Sequence, residues 1–566
     1  MKLHILVLLL IYTICLKTTA QLISEDNRIN WSLSGLQHKP IPQNIVNVKQ
    51  LYNLSGNGID DDALKIQTAI NEALGGSLLY FEAGTYLLKN KIDLLSNIII
   101  RGVDADNTIF KFDLNGYNNP PLECIVVATY QYGNYVDVLA GCNKESTFVI
   151  VENSADFSAH NYAEIEQNND PELMYSSPAW NVAWAANAVG QIVKITAVKN
   201  DTIHFWPPLN HTYRNELNPQ IRPTSLKENV GIENIKIERL DAGDNNTIAF
   251  VNTANCWMWN VESKKTVKSH VWASKCLNLQ IQNSYFHQSY NYGGSGHGYG
   301  VTLGRHTTNC LVENNIFETL RHAMMVKEGA NGNVFAFNYS LNPVSSNIFS
   351  LPADVSVHGH YPLMNLFENN VVQRIACTDY WGPAGPGNTF YRNKVETLNL
   401  SIEDYSHNQN VIANEVIAPF ASVIIQSNCN NTLKHANNEN GNIEWIPDLI
   451  SYSLPQSLYL DNGWNNALYS FIGPEYDFNT GNNDAKFRFN NSQKTNCYTG
   501  RNKIFFNENL VNGTIEYLQQ QLICAGNVRI AKNDTVQIFS AKSISLKSGF
   551  KVEKGAILRL GIEVCD

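Results

Sequence analysis

The amino-acid sequence predicts an all-β protein, built as a right-handed parallel β-helix solenoid with an N-terminal capping helix and a small C-terminal β domain. Three observations lead to this prediction. An amphipathic helix precedes the first strand-like segment, a short apolar segment bounded by asparagines recurs through the second half, and the tail alternates short strands with glycine turns. The expected organisation is a signal peptide at 1–20, a catalytic β-helix at 21–500 with an irregular excursion at about 120–220, and a small β module at 515–566.

The first twenty residues have the pattern of a secretory signal. Lys2 supplies the positive start, Ile5–Leu16 the apolar stretch and Thr18–Ala20 the small residues of a cleavage site. The apolar stretch is too short to span a bilayer, and no later segment is long and apolar enough to do so. We therefore expect a secreted protein, extracellular or periplasmic, without a membrane span.

The charge composition restricts the kinds of molecule that the protein is expected to bind. A formal net charge of −10 argues against nucleic acid, because a phosphate-binding surface needs a basic excess. An acidic protein with a local basic cleft still accommodates an anionic sugar, so an acidic polysaccharide or oligosaccharide is the expected partner of a monomer. The cysteines lack the paired spacing of a zinc ribbon. Cys524 and Cys565 bracket the last segment and form the one predicted disulfide.

Residues 56–112 carry the elements that open the solenoid. Asp60–Asp62 are suited to cap a helix, and Gly75-Gly76 end it before strand-like Leu78–Phe81. The apolar positions of the helix cluster on one side, at Leu64, Ile66, Ala69, Ile70 and Leu74. Within the excursion, residues 190–209 predict a hairpin that turns at Lys199–Asp201.

The repeat in the second half is an asparagine, four mostly apolar residues and a second asparagine. It occurs at Asn255–Asn260, Asn278–Asn283, Asn309–Asn314, Asn333–Asn338, Asn365–Asn370 and Asn388–Asn393. A β segment recurring every twenty-odd residues is typical of stacked coils, whose strands pair roughly 4.8 Å apart and align like residues in ladders. Asparagine suits the turns because it tolerates left-handed backbone.

Two segments also resemble known families. The segment 50–112 resembles the entry of the pectate-lyase and polygalacturonase-like right-handed parallel β-helix superfamily, with Glu82-Ala83-Gly84-Thr85-Tyr86 where that group has Pro-x-Gly-x-Tyr. This resemblance implies the fold and leaves the reaction open. The tail from about 515, with its Gly549-Phe550 and Gly555-Ala556 turns, resembles a small β module of secreted Bacteroidetes proteins.

Candidate chemistry concentrates on one exposed face of the coils. Between 354 and 360, polar residues alternate with two valines: Asp354, Ser356, His358 and His360 share one face, and Val355 and Val357 the other. On the preceding strand, either Arg321 or His322, and either Lys327 or Glu328, joins the polar face. With the leading asparagines as rulers, His297 and Arg321 align, each twelve residues before its asparagine.

These residues suit β-elimination next to a uronate carboxylate. The reaction needs a cation to neutralise the carboxylate, a base for the C5 proton and a proton donor for the leaving oxygen. We expect Arg321 or Lys327 as the cation, His358 or His360 as the base, and Tyr380 or His322 as the acid. The expected substrate contacts are His297, Arg305, Asp354, Asp379 and Trp381. Polymer cleavage and sugar dehydration would use the same groups.

Two alternatives involve metals. No cofactor is required for the elimination, but Asp354, His358 and His360 could chelate a divalent ion, since histidines two apart on a strand face the same way. Asp241 and Asp244 form a weaker candidate calcium site in a loop.

Two further function classes stay open. A glycoside hydrolase needs a carboxylate pair about 5–10 Å apart. Gly296-His297-Gly298 resembles the Gly-His-Gly element of polygalacturonases, but His287 stands one coil earlier where the paired aspartates of that family are expected. An unrelated pair could come from Asp354, Asp379, Glu313, Glu318 and Glu328. The other class is a non-catalytic carbohydrate-binding or adhesion solenoid, in which Trp257, Trp259, Trp272 and Trp381 stack on sugars.

Overall fold

The computed structural model shows a parallel β-helix with three long sheets, as the repeats predict. The described residues are 22–37, 39–40, 42–114, 122–174, 180, 182–346, 352–377, 381–449, 454–460, 471–473, 483–492, 502–506, 509–510, 513–516, 521–525, 529–530, 532, 535–540, 543–546 and 551–562. Successive strands along the chain visit the first, second and third sheet in turn, so each circuit forms one coil.

The first sheet has twelve strands. They are Asn44–Asn47, Ser77–Phe81, Ile98–Gly102, Gly231–Glu233, Trp257–Trp259, Gln280–Gln282, Leu311–Glu313, Val334–Ala336, Leu366–Glu368, Thr389–Tyr391, Asn410–Ile412 and Leu433–His435.

The second sheet has thirteen strands, and its last pair is antiparallel. They are Asn57–Asp61, Gly84–Leu88, Thr108–Phe112, Lys236–Arg239, Glu262–Thr266, Tyr285–Ser289, Ile316–Glu318, Tyr339–Leu341, Val371–Val372, Lys394–Val395, Glu415–Val416, Asn437–Glu439 and Asn442–Glu444.

The third sheet carries most of the candidate chemistry. Its strands are Ile92–Asp93, Ile125–Ala128, Ile248–Ala254, Ser269–Leu277, Tyr299–Leu303, His322–Val326, Val355–Val357, Ile375–Cys377, Leu400–Ile402 and Val423–Ile425, with Lys227–Glu228 pairing alongside Ile248–Ala254.

Helices are few in the described part of the chain. The α-helices are Val48–Leu51, Ala63–Glu72 and Asp484–Asn490, and 3₁₀ turns occur at Glu25–Asn27, Trp31–Leu33, Ala183–Ala185, Asn215–Leu217 and Pro447–Leu449. Ala63–Glu72 is the predicted capping helix, and its Ile66, Ala69 and Ile70 pack into the same core as the coils. None of the described helices combines the length and apolarity needed to cross a membrane.

The interior of the coils is filled by stacked apolar side chains. The phenylalanines of the first sheet form a ladder, with ring centroids 5.2 Å apart between Phe335 and Phe367 and 5.3 Å between Phe367 and Phe390. Because the strands pair in register, the same type of side chain recurs at one position along the axis and packs against its counterparts in the coils before and after it. Cys124, Cys142, Cys256, Cys276, Cys310, Cys377 and Cys429 are buried free thiols.

Asparagines stack as predicted, but in two different roles. In the earlier coils they hold left-handed turns, with φ between +50° and +56° at Asn255, Asn260, Asn278, Asn283, Asn309 and Asn314. In the later coils they form an interior ladder in which each side-chain amide donates to the next at 2.9–3.1 Å: Asn315, Asn338, Asn370, Asn393, Asn414 and Asn437.

The two roles differ by one residue, so the asparagine ruler is wrong between the third and fourth repeats. Leu311 pairs with Val334, which aligns Asn333 with Cys310 rather than with Asn309. The same shift reaches the third sheet, where Tyr299 pairs with His322. Arg321 therefore aligns with Gly298, and not with His297 as the ruler predicts.

The excursion folds as a closed six-stranded antiparallel barrel. Its strands are Val136–Ala140, Phe148–Val151, Tyr162–Glu166, Gly190–Lys199, Thr202–Trp206 and Gln220–Thr224. The antiparallel pairing of Gly190–Lys199 with Thr202–Trp206 confirms the predicted hairpin. The barrel is fixed to the coils by hydrogen bonds from the Ile192 amide to Thr308 Oγ1, 3.2 Å, and from Asn331 to the Gly190 carbonyl, 2.8 Å.

The C-terminal module consists of three parallel sheets of three strands each. Its strands are Asn502–Phe506, Asn509–Leu510, Gly513–Glu516, Gln521–Ala525, Arg529–Ile530, Thr535–Ser540, Ser543–Leu546, Lys551–Val552 and Ile557–Ile562. The first strand begins ahead of residue 515, the start that the sequence suggests. Cys565 lies outside the described residues, so its pairing with Cys524 stays a prediction.

Candidate functional site

The centre of the candidate site lies on two neighbouring strands of the third sheet. Val326 pairs with Val357, so the residues that follow them, Lys327 and His358, are neighbours across the two strands. Val355 and Val357 are buried in the core of the coils, as the alternation predicts, and His358 is half-buried. The structure thus brings a lysine and a histidine from separate coils side by side.

His322 joins this pair from the opposite end of its strand. Its ring centroid lies 6.5 Å from that of His358 and 5.1 Å from that of Tyr299. His322 lies at the start of its strand, whereas Lys327, the neighbour of His358, follows its end. Because a strand rises roughly 3.3 Å per residue, the His322 and His358 rings come this close only by leaning toward each other along the strands. The Ala353 carbonyl is 2.8 Å from Nδ1 of His322 and accepts its hydrogen bond, which directs Nε2 to the other side of the ring.

The Lys327 ammonium lies between two tryptophans. It is 5.6 Å from the ring centroid of Trp184 and 5.1 Å from that of Trp272, and it forms an ion pair with Glu328 at 2.7 Å. Trp184 comes from the barrel and is 49% exposed. Its ring also lies 5.7 Å from that of Trp381. A cation framed by partly exposed aromatic rings is suited to hold a charged sugar, because rings stack on the apolar faces of pyranoses.

His360 and Asp354 do not face an open surface, contrary to the prediction. His360 is 3% exposed, its Nε2 lies 3.2 Å from the Trp180 carbonyl, and its ring packs 4.6 Å from that of Trp184. Asp354 is 1% exposed and accepts hydrogen bonds from Ser340 and from the backbone amides of Gln373 and Arg374. Burial raises the pKa of Asp354 to about 6 despite these bonds.

The metal alternative at Asp354, His358 and His360 does not fit this arrangement. Among the described residues, the group of three whose ligand atoms lie within 4.8 Å of one another is Glu164, Glu166 and His306, not this one. That group lies between barrel and coils, where Arg222 and Lys275 already approach Glu164 at 2.6 and 2.9 Å. Two side-chain cations therefore already balance the charge of the Glu164 carboxylate.

Arg321 and His297 lie together beside the entrance to this strand. Arg321 donates to the Gly293 carbonyl at 2.7 Å, and its guanidinium lies 5.7 Å from the ring centroid of Tyr299. His297 sits in the turn before Tyr299 and lies 3.2 Å from Asp244. Both flanking glycines of Gly296-His297-Gly298 have positive φ, 83° and 74°, so they make the turn possible.

The candidate calcium site also differs from its prediction. Asp241 is buried against the Arg239 guanidinium at 3.1 Å, and Asp244 faces Lys268 at 3.7 Å in addition to His297. Both carboxylates are therefore balanced by side-chain cations.

Arg305 serves the barrel rather than an open cleft. Its guanidinium donates to the carbonyls of Trp184, Ala186 and Asn187 at 3.3, 2.7 and 3.5 Å. These contacts fix the segment that carries Trp184 against the coils.

The carboxylates considered for a hydrolase are spread over the molecule. Glu313 lies on the first sheet beside Tyr459, and Glu318 lies on the second sheet, bonded to Tyr285. Asp354 and Glu328 lie at opposite ends of third-sheet strands. Asp379 and Tyr380 are outside the described residues, and their assignments stay predictions.

Trp184 and Tyr299 are the members of the site that the sequence does not predict. Trp184 lies in the barrel insertion, far before Lys327 in the sequence, and no local sequence pattern links the two residues. Tyr299 stands in the strand that carries the Gly-His-Gly turn, where pairing with His322 would have identified it had the register been known.

The chain was compared with known families and structures. Residues 45–158 match the family model described as rhamnogalacturonase A/epimerase, pectate lyase-like. The match confirms the resemblance. It includes the entry segment, and it extends into the barrel. No curated protein matches the chain in sequence.

Several solved structures are similar to this chain at low sequence identity. The tailspike gp61 of Pseudomonas phage phi297 is 11% identical over 90% of this chain and 75% of its own, with a TM-score of 0.48. The tailspike gp49 of Pseudomonas phage LKA1 is 13% identical over 91% and 78%, also at 0.48. The A-module of the mannuronan C-5 epimerase AlgE4 from Azotobacter vinelandii is 10% identical over 91% and 95%, at 0.33. Likenesses of this size carry no information on substrate or reaction.

Proposed function

We propose that the protein is a secreted carbon–oxygen lyase that acts by β-elimination on a uronate-containing polysaccharide or its oligosaccharides. The observation that supports this best is the placement of Lys327 next to His358, with His322 facing His358 and two tryptophan rings beside the lysine. One surface then offers a cation, two imidazoles and a platform for sugar rings.

Each group has a role in the elimination. The Lys327 ammonium neutralises the uronate carboxylate, which acidifies the C5 proton. His358 takes that proton, the C5–H electron pair becomes the C4–C5 double bond, and the C4–O bond breaks. His322 gives a proton to the departing oxygen from Nε2, since Nδ1 is committed to the Ala353 carbonyl. No redox partner or metal takes part in these steps.

Glu328 orients the lysine between turnovers. Its carboxylate is buried and lies 2.7 Å from Nζ, so a substrate carboxylate that reaches Lys327 replaces or shares this contact. The Trp184 and Trp272 rings keep the ammonium in place from the sides. A site of this kind favours substrates that carry a carboxylate over neutral glycans.

The test is incubation with a panel of uronate polymers and oligomers. A lyase produces absorbance near 235 nm from the new conjugated double bond. The masses of the cleavage products sum to the mass of the parent chain, with no water added, whereas a dehydrated product is lighter than its parent by one water. Reducing ends without that absorbance would show hydrolysis by a carboxylate pair instead. Polymer binding without any product would support the adhesion alternative.

Variants test the site itself. His358→Ala and Lys327→Ala should each lower kcat roughly 10²–10⁴-fold, the usual contribution of a positioned acid–base or charged group. Lys264→Ala is the matched control, because Lys264 also pairs with a glutamate, at 2.8 Å, but on the second sheet. Full activity in both site variants would refute the assignment, whichever reaction the enzyme performs.

A further inference from the structure

One glycine of the third sheet stands directly beside the lysine of the proposed catalytic site. Gly304 follows a strand whose last residue, Leu303, pairs with Val326. Gly304 and Lys327 are therefore neighbours on successive coils, and His358 is the neighbour of Lys327 on the coil after that. One row along the sheet thus consists of a glycine, the lysine and the histidine, with one residue from each coil.

The space above Gly304 is filled by the ring of Trp272, which comes from the strand of the preceding coil, Ser269–Leu277. A Cβ on Gly304 would lie 2.7 Å from Cη2 of this ring and 3.2 Å from Cζ2 and Cζ3. Carbon atoms in van der Waals contact stay about 3.5–4.0 Å apart, so no larger residue fits beneath the ring as it lies. The φ of Gly304 is outside the left-handed region, and glycine is therefore required here for space alone.

Because Gly304 has no side chain, Trp272 reaches across one coil to Lys327. Their strands are two coils apart, which is roughly 9–10 Å at the spacing of paired strands. The Lys327 ammonium nevertheless lies 5.1 Å from the centroid of the Trp272 ring, over its face, where the cation is attracted to the π electrons. The ring closes the side of the lysine that faces the earlier coils, so the ammonium is restricted to the side of His358.

We propose that Gly304 is a positioning residue of the candidate site, because its missing side chain lets Trp272 lie against Lys327 and hold the ammonium where the uronate carboxylate binds. The role of the lysine in this inference rests on the proposed elimination, whereas the contact between ring and lysine does not depend on any reaction. A misplacement of about 1 Å in a catalytic group can cost about 10²-fold in rate. A side chain at Gly304 should therefore lower turnover by acting on the lysine through the tryptophan.

The first sheet provides a matched control. There Trp257 lies over its strand partner Gly231, where a Cβ would be 2.4 Å from Cε2 and Cζ2 of the ring. Gly231→Ala therefore displaces a tryptophan in the same way, but on a different sheet from Lys327. Loosened packing of the coils would affect both glycine variants, whereas an effect on the lysine is expected in Gly304→Ala alone.

The first measurement follows the Lys327 side chain by NMR in the full chain, labelled with ¹³C at lysine Cε and assigned with Lys327→Arg. Ring currents shift protons over an aromatic face upfield, so Lys327 should give an upfield resonance in the unmodified protein. Gly304→Ala and Trp272→Ala should each move this resonance part of the way toward the exposed lysines, because Trp184 stays beside the ammonium. The double variant Gly304→Ala/Trp272→Ala should move it no further than Trp272→Ala does.

The second measurement is kcat/KM with whichever of polygalacturonate, alginate and hyaluronan is cleaved fastest. Gly304→Ala should lower it roughly ten- to hundredfold. The double variant should be as active as Trp272→Ala, because two substitutions that act through one contact are not additive. Gly231→Ala should leave both kcat/KM and the Lys327 resonance unchanged. Trp272→Ala and the double variant contain no clash, so they report on the contact even if Gly304→Ala folds poorly.

Three results would overturn the proposal. The Lys327 resonance could stay in place in Gly304→Ala or in Trp272→Ala, Gly304→Ala could cause a further change in the Trp272→Ala background, or Gly231→Ala could move the resonance as Gly304→Ala does. Absence of turnover with all three polymers overturns the elimination at this site, and the NMR measurement then decides the positioning of the lysine by itself.

Discussion

Glu164 is the residue whose removal should most change how the barrel is held. Its side chain is fully buried and receives Arg222 at 2.6 Å, Lys275 at 2.9 Å and His306 at 2.6 Å. Arg222 belongs to the barrel, whereas Lys275 and His306 belong to the coils. Burial alone would raise the pKa of Glu164, but the bond to His306 and the surrounding cations outweigh it and hold the pKa well below its usual value.

Glu164→Gln keeps the shape and leaves the cations uncompensated. Breaking a buried ion pair by removing one partner costs about 3–5 kcal/mol. Each 1.4 kcal/mol changes an equilibrium constant tenfold. The population of molecules in which the barrel is detached from the coils should therefore rise roughly 10²- to 10³-fold or more. Hydrogen exchange of the strand Tyr162–Glu166 reads this opening directly, and the melting temperature of the barrel should fall with it.

The pH dependence adds a second readout of the same effect. Folding lowers the pKa of Glu164 from its value of 4.5 in the unfolded chain. The ionised side chain therefore contributes fully to the free energy of unfolding above about pH 4.5, and this contribution is lost as the pH falls below that value. Unmodified protein and Glu164→Gln should therefore converge in stability in acid and separate toward neutral pH. The exposed Glu172→Gln is the control and should change stability by less than about 0.5 kcal/mol. Equal exchange rates at pH 7 in Glu164→Gln and the unmodified protein would refute the reasoning.

Three further predictions concern the ladder, a buried acid and the aromatic platform. Asn370→Ala removes the oxygen that accepts from the amide and side chain of Asn338, so unfolding should cost about 2–4 kcal/mol less by denaturant titration, with exposed Asn143→Ala near neutral. Asp354 has a raised pKa of about 6, so the folded protein retains a proton that the unfolded chain releases. The free energy of unfolding should therefore fall as pH rises from about 4 to 6, and Asp354→Asn should remove this slope from the pH dependence of the melting temperature. Trp184→Ala should weaken polymer binding at least roughly tenfold in an affinity titration while leaving the melting temperature nearly unchanged, because the ring is half exposed.

The repeat predicts the fold because a ladder residue must recur once per coil, whatever the insertions between coils. Register is harder to predict, since asparagine suits both a left-handed turn and an interior amide ladder. Asn309 holds the first role and Asn333 the second, one residue apart in the coil. The pattern of two asparagines with four residues between them looks identical in the two cases, so only strand pairing distinguishes them.

The alternation of polar and apolar residues predicts on which side of a strand a side chain lies, but it does not show which other parts of the chain cover that side. Lys327 and His358 keep partial exposure, and here the expectation from alternation and the structure agree. His360 shares their face in the sequence pattern, yet the barrel covers it through Trp180 and Trp184. Covering elements come from distant parts of the chain, and their contacts are absent from any local pattern.

Arg305 shows how the barrel and the candidate site depend on each other. The sequence predicts it as a substrate contact, but its guanidinium binds three carbonyls of the segment that presents Trp184. Trp184 in turn packs against Lys327, His360 and Trp381. The barrel is therefore more than an appendage of the solenoid, because it supplies a half-exposed ring beside the lysine. A solenoid face is flat along its length, and a wall added by an insertion is what turns part of that face into a cleft. Selectivity for a substrate should accordingly change with the barrel, while the His322–His358 pair belongs to the coils themselves.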